Sequence, residues 1–377
     1  MIRMLVIGYC LGIRSERRLC EEVHLNLAYR WFCRLGLEGK VPDHSTFSKN
    51  RHGRFRESSL FRRLFEAVVQ RCLDEGLVGA EGFGIDASLI HADANKQRSL
   101  AGADWQVQDH TQDAPRAVRE YLDTLDEAAW GAATDVEPKF VSPSDPAAQW
   151  TGAMRGPAFF AYADNYLIDL KAAVLVDVEA SRAVRQAEVG AARTMLERTT
   201  ERFGLKPRRL AGDRAYSSAE MLHWLVEEQK IEPHVPVIDK SERQDGTFSR
   251  SDFTYDPEAD TYTCPEGKIL TTSGRIVNEG TTRIYLGSTF DCGPCPLKEQ
   301  CCPNTPARKI PRSIYEHARE VARSLRGTPA FEQSRQGRKR IEMLFAHLKR
   351  ILKMGHLRLR GRVMLRMSSC WPQPPRT

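Results

Sequence analysis

The first 78 residues carry apolar positions with a helical period. Apolar side chains recur at roughly four-residue steps, in the order Leu5, Tyr9, Leu11, Leu19, Val23, Leu27 and Trp31. This spacing places them on one face of a helix, so the pattern predicts a helical region that buries that face. The opening MIRMLVIGYCLGI resembles the apolar core of a signal peptide, but charged residues follow it at helical spacing without a small-residue cleavage site. We therefore expect a buried helix there and a cytoplasmic protein.

The segment VPDHSTFSKNRHGRF, residues 41–55, predicts a short basic helix. Pro42 interrupts the preceding pattern, and Asp43, Ser45 and Thr46 are candidate N-caps. The basic residues that follow are Lys49, Arg51, Arg54 and Arg56. A capped basic helix behind a bent pair of helices suits a helix-turn-helix that enters the major groove of DNA. The alternative is a domain that only packs or dimerises.

A strand pattern opens the middle of the chain. In GFGIDASLI, residues 82–90, Ile85, Ala87 and Leu89 share one face and Asp86 and Ser88 share the other. The next segments predict a long polar loop over 92–152 with a helix near 115–130, and then a hairpin of FFAYADNYLIDL with AAVLVDVEA. A helix over 183–203 and a strand at RRLAGD follow. The chain then predicts a helix at SSAEMLHWLVEEQ, with a capping box of Ser217 and Glu220, and a strand at PHVPVID. Strands followed by alternating helices and strands predict an α/β fold with a mixed sheet covered by helices.

The last third of the chain begins with a stretch of weak apolar periodicity over about 240–330. The segment SRQGRKRIEMLFAHLKRILKM then returns to a strong helical pattern. Its apolar stripe consists of Ile341, Leu344, Phe345, Leu348, Ile351 and Leu352. Arg338, Glu342 and Lys349 share another face of the predicted helix.

Composition and charge narrow the class of protein. The chain is 41% hydrophobic and 28% charged, as in globular proteins with a core, and it has no apolar run long enough to span a membrane. Residues 1–71 carry 14 Lys and Arg against 7 Asp and Glu, residues 72–303 carry 24 against 38, and residues 304–366 carry 17 against 4. Basic arms around an acidic centre suit a polyanion such as DNA, through counterion release. Solvated basic helices are the alternative.

Three carboxylates are candidates for chemistry. Asp86 lies mid-strand among apolar residues, where a carboxylate is costly unless it is paired or binds a metal. Asp213 ends the strand RRLAGD, at the edge where α/β sheets place ligands. Glu342 is the lone acid among Arg338 and its basic neighbours. Each also has a structural interpretation as a turn, cap or salt-bridge residue, and Asp93 competes for the first position.

Three segments resemble the signature segments of DDE transposases from prokaryotic insertion sequences: GIDASLI, AGDRAYSS and RKRIEMLFAHLK. MLVIGYCLGIRSERRLCEEVHLNLAYRWF and VPDHSTFSKNR resemble the N-terminal helical domain of one branch of that family, so the resemblance covers nearly the whole chain. Arg338, Glu342 and Lys349 fit the spacing of the family's Y-R-E-K arrangement, with Arg335 at the tyrosine position.

The resemblance implies a ribonuclease H-like catalytic domain with Asp86, Asp213 and Glu342 as its triad. These carboxylates would hold Mg²⁺ or Mn²⁺ for strand cleavage at element ends and for strand transfer into target DNA. Arg338 and Lys349 would bind phosphates of the DNA near the bond that is cut. The implied partners are double-stranded DNA, at terminal inverted repeats and at the target, and a second copy in a homodimer. A DNA nuclease without joining activity and a non-catalytic DNA-binding remnant are the alternatives.

The predicted organisation has five parts: a helical DNA-binding domain over 1–78, the first part of the catalytic domain over 79–240, a Cys-rich insertion over 241–329, the Glu-bearing completion over 330–366, and a tail over 367–377. MLRMSSCWPQPPRT lacks the period of the terminal helix expected there, while an alternative reading frame can encode DAPDEFLLAATAQN. We therefore expect a frameshifted tail, a start at Met1 internal to the gene, and a truncated or inactive copy.

Cysteines in the predicted insertion have the spacing of metal ligands. Cys264 precedes Cys292-x-x-Cys295, and Cys301 or Cys302 supplies a fourth thiol, with Gly and Pro beside them. Four thiolates favour tetrahedral Zn²⁺. Because Cys264 stands alone rather than in a second CxxC, reduced cysteines packed in the insertion are the alternative. Other cysteines, including Cys10, Cys20 and Cys33, fall on apolar helix faces and are predicted to be core residues.

Overall fold

The computed structural model of the chain describes residues 1–55, 58–105, 116–122, 138–152, 156–237, 243–278 and 280–357. These residues fall into two compact units, one formed by residues 1–212 and 332–377 and the other by residues 213–331. The predicted tail over 367–377 lies outside the described residues. The five-part functional division stays a prediction.

The first unit begins with five helices: α1 (Ile2–Cys10), α2 (Glu16–Leu25), α3 (Leu27–Cys33), α4 (His44–His52) and α5 (Leu60–Asp74). Side-chain oxygens of Ser15, Asn26 and Asp43 accept hydrogen bonds from the first turns of α2, α3 and α4. A core joins the helices through Met4, Leu5, Ile7, Leu19, Val23, Phe47, Phe55 and Phe61. The predicted apolar stripe supplies Leu5, Leu19 and Val23 to this core, and the other members were not predicted.

The predicted apolar stripe is wrong at three positions. Leu11, which caps the end of α1, is 53% exposed, Leu27 is 66% exposed and Trp31 is 81% exposed. Asn26 ends α2 in an extended conformation and caps α3, so the helical phase that runs through Leu19 and Val23 does not continue. The four-residue steps were counted across this helix break, which the sequence pattern does not reveal. The predicted face is therefore wrong for Leu27 and Trp31.

The first unit also holds the mixed sheet. Its strands are β1 (Gly82–His91), β4 (Gln149–Gly152), β5 (Ala158–Asp169), β6 (Leu175–Arg182) and β7 (Arg209–Ala211); β2 (Leu100–Ala101) and β3 (Phe140–Val141) form a separate pair. The strand order is β4-β5-β1-β7, and β6 also pairs with β5. Strands β5 and β6 are antiparallel, as the predicted hairpin requires, and β1 and β7 are parallel. Strands β2 to β4 and helix α6 (Arg116–Leu122) lie within the segment predicted as a long loop with one helix.

Helices cover both faces of this sheet. On one face, Arg62 of α5 and Arg198 of α7 (Arg185–Phe203) bind Asp177 of β6. Tyr166 of β5 pairs with Val178, the residue after Asp177, so the side chain of Tyr166 lies on the opposite face. There it contacts another helix. The mixed sheet with flanking helices, preceded by N-terminal helices, confirms the predicted α/β class and is consistent with a ribonuclease H-like fold.

The helix on the opposite face is α12 (Pro329–Arg350), of which the part from Glu332 onward belongs to the first unit. It begins before the predicted start because Pro329 is well suited to the first turn of a helix. Ile341, Leu348 and Leu352 are buried as the stripe predicts, whereas Ile351, just beyond the helix, is 60% exposed. None of the helices in the described part of the chain is both long and apolar enough to cross a membrane.

The second unit contains an antiparallel sheet that the sequence did not predict. Its strands are β9 (Thr254–Asp256), β10 (Thr261–Thr263), β11 (Ile269–Val277), β12 (Thr282–Leu286) and β13 (Lys309–Ser313), paired in chain order. Many of their residues are exposed, and a small core of Phe253, Tyr262, Leu270, Tyr285 and Ile310 lies on one side. Short strands with one apolar face give little periodicity, which is why the segment reads as irregular.

Helices and one further strand complete the second unit: α8 (Ala219–His223), β8 (Glu232–His234), α9 (Thr289–Cys292), α10 (Lys298–Cys301) and α11 (Glu316–Ser324). Ser218, rather than the predicted Ser217, caps α8 by accepting from the N–H of Met221. Ser217 instead donates its hydroxyl to the carbonyl of Arg214. The predicted strand PHVPVID is only the three residues of β8.

Candidate active site

Asp86 lies on the face of β1 that α12 covers. Alternate residues of a strand share a face, so Gly84 and Asp86 point the same way. A β-carbon on Gly84 would lie 2.2 Å from Cδ1 of Ile341, which is a residue of α12. The absence of a side chain at Gly84 therefore lets α12 approach the strand two residues before Asp86.

Arg338 connects α12 to the middle of β1 and to the residue that follows β7. Its Nη2 lies 3.7 Å from Oδ2 of Asp86, and its Nη1 donates to the carbonyl of Gly212 at 3.1 Å. The side chains of Arg338 and Asp86 are 22% and 21% exposed. The backbone N–H of Ala87 also donates to Oδ1 of Asp86. The structure thus brings the predicted phosphate-binding Arg338 to the first predicted carboxylate.

Glu342 follows Arg338 by one turn of α12. The ring of Phe345, three residues later, packs 5.3 Å from that of Tyr166, and Tyr166 is the register partner of Asp86. Residues 338, 342 and 345 share a side of the helix, because positions three and four apart are neighbours. Glu342 is exposed. The helix of Glu342 therefore packs over the strands beside Asp86, and the Glu342 side chain itself is exposed to solvent.

Asp213 is the first residue of the second compact unit and directly follows Gly212. The strand predicted to include it ends at Ala211, which pairs in parallel with Gly84. Asp213 is half-buried, and its carboxylate accepts from the N–H of Ala215 at 2.7 Å as the N-cap of a short 3₁₀ turn. The residue thus has the capping role that its structural interpretation anticipated.

No ready-made metal centre is present in the described ranges. Within them, no group of three or more His, Cys, Asp or Glu side chains is arranged so that it could hold a metal ion. Asp86 lies on the strand face that α12 covers, Glu342 is exposed on α12, and carboxylate oxygens suit Mg²⁺. The donor chemistry therefore fits the predicted cation, while the ligand set is not assembled.

A buried carboxylate that sequence reasoning missed lies on the same sheet face. Asp164 is the register partner of Ser88, just as Tyr166 is the partner of Asp86, and Asp164 is fully buried. The hydroxyl of Tyr166 donates to Oδ2 of Asp164 at 2.9 Å. Burial and the neighbouring Asp164 raise the pKa of Tyr166 well above its usual range. The spacing Asp164-x-Tyr166 within a largely apolar strand was the available signal.

Two histidines were also missed. The ring of His91, at the end of β1, stacks on Phe159 with centroids 3.7 Å apart, and His356 lies beyond it at 6.1 Å. The N–H of His91 donates to the carbonyl of Gly355, so the segment after α12 returns to β1. Burial lowers the pKa of His91, and His356 and Lys349 lower it further. Lys349, the third predicted helix residue, is exposed near this histidine pair.

The predicted DNA-binding residues of the N-terminal helices have different surroundings. Lys49 of α4 and Arg54 after it are exposed, while Arg56 lies outside the described residues. Arg51 binds Glu16 of α2, with Nη2 and Oε1 2.8 Å apart and side chains 14% and 19% exposed. The ion pair between Arg51 and Glu16 therefore connects α4 to α2.

The predicted zinc ligands lie together in the second unit. Cys264, Cys292, Cys295 and both Cys301 and Cys302 line one cavity of about 30 Å³. Burial and Cys302 raise the pKa of the Cys301 thiol to about 11. The cysteines predicted to be core residues, Cys10, Cys20 and Cys33, are only half-buried.

Comparison with protein families gives two matches. Residues 1–53 match a family described as "Transposase domain (DUF772)", and residues 263–370 match one described as "Transposase DDE domain". The first covers α1 to α4, and the second covers the five cavity cysteines and Glu342. Asp86 and Asp213 lie outside both matched segments.

Comparisons with curated proteins and with solved structures find no match. The two family matches arise from opposite parts of the chain, and each names a transposase domain. Together they confirm the resemblance of this chain to the DDE transposases.

Proposed function

We propose that the chain is a transposase that cleaves DNA strands at the ends of an insertion sequence and joins them to target DNA, with Asp86, Asp213 and Glu342 as its catalytic carboxylates. The observation that carries the proposal is the packing of the Glu342 helix against the Asp86 strand, through Ile341 on Gly84. A carboxylate-bearing helix laid across a carboxylate-bearing strand is what a two-metal phosphoryl-transfer site needs.

The position of Asp213 in the chain supports its place in the triad. Ala211 pairs with Gly84, and Asp86 and Asp213 each follow their paired residue by two positions. Ligands of α/β sheets gather at the carboxyl ends of parallel strands. Arg338 contacts both the Asp86 carboxylate and the carbonyl of Gly212, the residue directly before Asp213.

The residues have separate roles in the proposed chemistry. Asp86, Asp213 and Glu342 would hold Mg²⁺ or Mn²⁺, and bound cations would supply activation of the nucleophile and stabilisation of the leaving 3′ oxygen. Water attacks the phosphorus at the element end and loses a proton to solvent, while the bond from phosphorus to the 3′ oxygen breaks and that oxygen takes a proton from solvent to leave as a 3′-hydroxyl. The 3′-hydroxyl then attacks the phosphorus of a target phosphodiester and loses its proton to solvent, while the bond to the target's own 3′ oxygen breaks and that oxygen is protonated. Arg338 orients a DNA phosphate beside Asp86. Lys349, farther along α12, contacts another part of the DNA backbone.

DNA is the substrate class, and the basic arms supply sequence-independent affinity for it. Lys49 and Arg54 are exposed around α4 and bind phosphates, whereas Arg51 acts through its ion pair with Glu16. Two element ends are brought together by a homodimer. The chain works in the cytoplasm, where bacterial-type insertion elements and their targets lie.

The experiment compares the chain with Asp213→Ala on labelled duplexes taken from the DNA that flanks its gene. With Mg²⁺ or Mn²⁺ we expect strand cleavage by the unchanged chain, none by the variant, and equal DNA binding by both. Joining of a free 3′-hydroxyl end to a plasmid, and its loss with a 3′-deoxy end, tests the transfer step.

Other outcomes identify other functions. Cleavage without joining, and flanks without inverted repeats, would identify a metal-dependent nuclease. Binding that falls steeply with salt, ignores Mg²⁺ and is unchanged in Asp213→Ala would identify a DNA-binding remnant.

A further inference from the structure

The cysteine cavity of the second unit is small. Its volume is about 30 Å³, more than the roughly 10–15 Å³ that one water molecule needs, so it has room for a single small ion. Five cysteines from three separate turns of chain line it: Cys264, Cys292, Cys295, Cys301 and Cys302. Cys301 and Cys302 belong to the small hydrophobic core of this unit and Cys264 and Cys292 pack against it, and thiols gathered this closely also suit a thiophilic ion.

The turn that carries Cys264 presents its sulfur to a backbone donor. The N–H of Lys268 donates to the Cys264 sulfur at 3.3 Å, and the N–H of Cys264 donates to the carbonyl of Lys268. Gly267, with φ +77°, makes the tight turn possible. Hydrogen bonds to a ligand atom orient it and stabilise its charge. Cys264 is therefore held by its turn as a metal ligand would be.

The second turn gives the cavity its other wall. Cys292 ends α9, Cys295 follows after two residues, and Cys301 ends α10. A β-carbon on Gly287 would lie 3.0 Å from the Cys292 sulfur. The glycine therefore leaves room for that sulfur at the end of β12.

The charges around the cavity favour an anionic centre. Four thiolates around Zn²⁺ carry a net charge of −2, which needs nearby cations when it is buried. Arg308 and Lys298 both line the cavity, and Lys298 Nζ lies 3.6 Å from the Cys302 sulfur. Arg308 is 5% exposed, and its Nε is without a hydrogen-bond partner in the part of the chain that the structure describes.

We propose that Cys264, Cys292, Cys295 and Cys301 bind one structural zinc ion that joins the β10–β11 turn to helices α9 and α10. Zinc is the expected metal because four thiolates provide the soft, tetrahedral set that it prefers. In the described residues the thiols are not yet gathered into a metal-binding group, so binding draws the sulfurs into the cavity. Cys302 stays outside the coordination sphere beside Lys298.

The metal content of the full-length chain tests the proposal. We expect one zinc per chain by plasma mass spectrometry, and Co²⁺ in its place should give thiolate-to-cobalt charge-transfer and tetrahedral d–d bands. Cys295→Ser and Cys301→Ser should lose the metal, while Cys302→Ser and the distant control Cys33→Ser should keep it. A chain without zinc that also gives no such bands on titration with Co²⁺ under reducing conditions would overturn the proposal.

Thiol protection provides a readout that does not depend on whether the variants fold. In the unchanged chain, iodoacetamide should spare Cys264, Cys292, Cys295 and Cys301 until a chelator is added, and peptide mass spectrometry should locate the four. Retention of zinc in Cys301→Ser with loss in Cys302→Ser would overturn the choice of fourth ligand. These results are independent of DNA cleavage, so the zinc proposal and the proposed function can fail separately.

Discussion

Cδ1 of Ile341 lies 2.2 Å from the position that a β-carbon would take on Gly84, so α12 rests directly on the backbone of β1. Leu170 adds a second contact, with its Cδ2 3.1 Å from the same position. Any side chain at position 84 would require the end of the Ile341 side chain, or the helix and the strand, to shift. This contact packs the helix of Glu342 closely against the strand of Asp86.

Gly84→Ala should therefore destabilise the first unit by about 1–3 kcal/mol, the usual cost of overpacking. Urea denaturation measures the change. The matched control is Gly152→Ala in β4, where a β-carbon would meet nothing within 4 Å. We expect that control to alter stability by less than about 1 kcal/mol.

A double-mutant cycle tests whether Ile341 causes the effect. Ile341→Val removes the Cδ1 atom that conflicts with a new β-carbon, at its own cost of about 0.5–1.5 kcal/mol. In the Ile341→Val background, Gly84→Ala should cost clearly less than it does alone, which gives a favourable coupling energy. Additive effects of the two substitutions would show that α12 does not rest on Gly84.

Arg51 and Lys49 lie two residues apart on α4, and their substitutions should separate stability from DNA binding. Arg51→Ala leaves the half-buried Glu16 without its ion-pair partner and should lower the free energy of unfolding by about 1–3 kcal/mol. Lys49→Ala should leave stability unchanged and reduce the slope of log affinity against log salt by about 1. Denaturation and salt-dependent binding titrations measure the two effects; the reverse pattern would contradict these assignments.

Arg198 should be among the most sensitive positions of the sheet. Its Nε lies 2.8 Å from Asp177 and its Nη1 lies 2.8 Å from Glu179, and both carboxylates are buried. Arg198→Ala leaves these charges poorly compensated and should cost about 3–5 kcal/mol. The control is Arg18→Ala, whose exposed ion pair with Glu22 should contribute less than about 0.5 kcal/mol. Similar effects of the two substitutions on thermal or urea unfolding would contradict the argument.

The sequence predicts those parts of the site that depend on local pattern. The alternation around Asp86 predicts its face, and the stripe of α12 predicts a helix with an exposed Glu342, whereas Arg338 is half-buried against Asp86. Pattern cannot predict which backbone a helix touches, so the contact of Ile341 with Gly84 required the tertiary structure. The partner of Arg51 was missed for the same reason, since Glu16 lies on another helix.

The second unit shows a different limit. Strands β9 to β13 are short and mostly exposed on one side, so their apolar residues are too few to give a clear period. Cysteine spacing nevertheless predicted which residues gather there, because CxxC and CPxG turns are local features. Five cysteines do line one cavity, although the order of the strands around them could not be read from the sequence.

Metal-dependent cleavage by carboxamide variants tests the central claim that Asp86 and Glu342 perform the chemistry. Asp86→Asn and Glu342→Gln preserve side-chain size but remove the charge that holds a cation. Their controls are Asp93→Asn, which replaces the competing aspartate, and Glu332→Gln on the same helix, where Glu332 binds Arg335 at 2.6 Å.

The measurement is the rate of strand cleavage in Mg²⁺ or Mn²⁺ on duplexes carrying the flanking DNA, with binding measured alongside. The account predicts that Asp86→Asn and Glu342→Gln each lower the cleavage rate at least about a hundredfold, comparable to the removal of a catalytic electrostatic contact, while binding persists and both controls cut normally. Full cleavage by either carboxamide variant, or its loss in Asp93→Asn instead of Asp86→Asn, would contradict it.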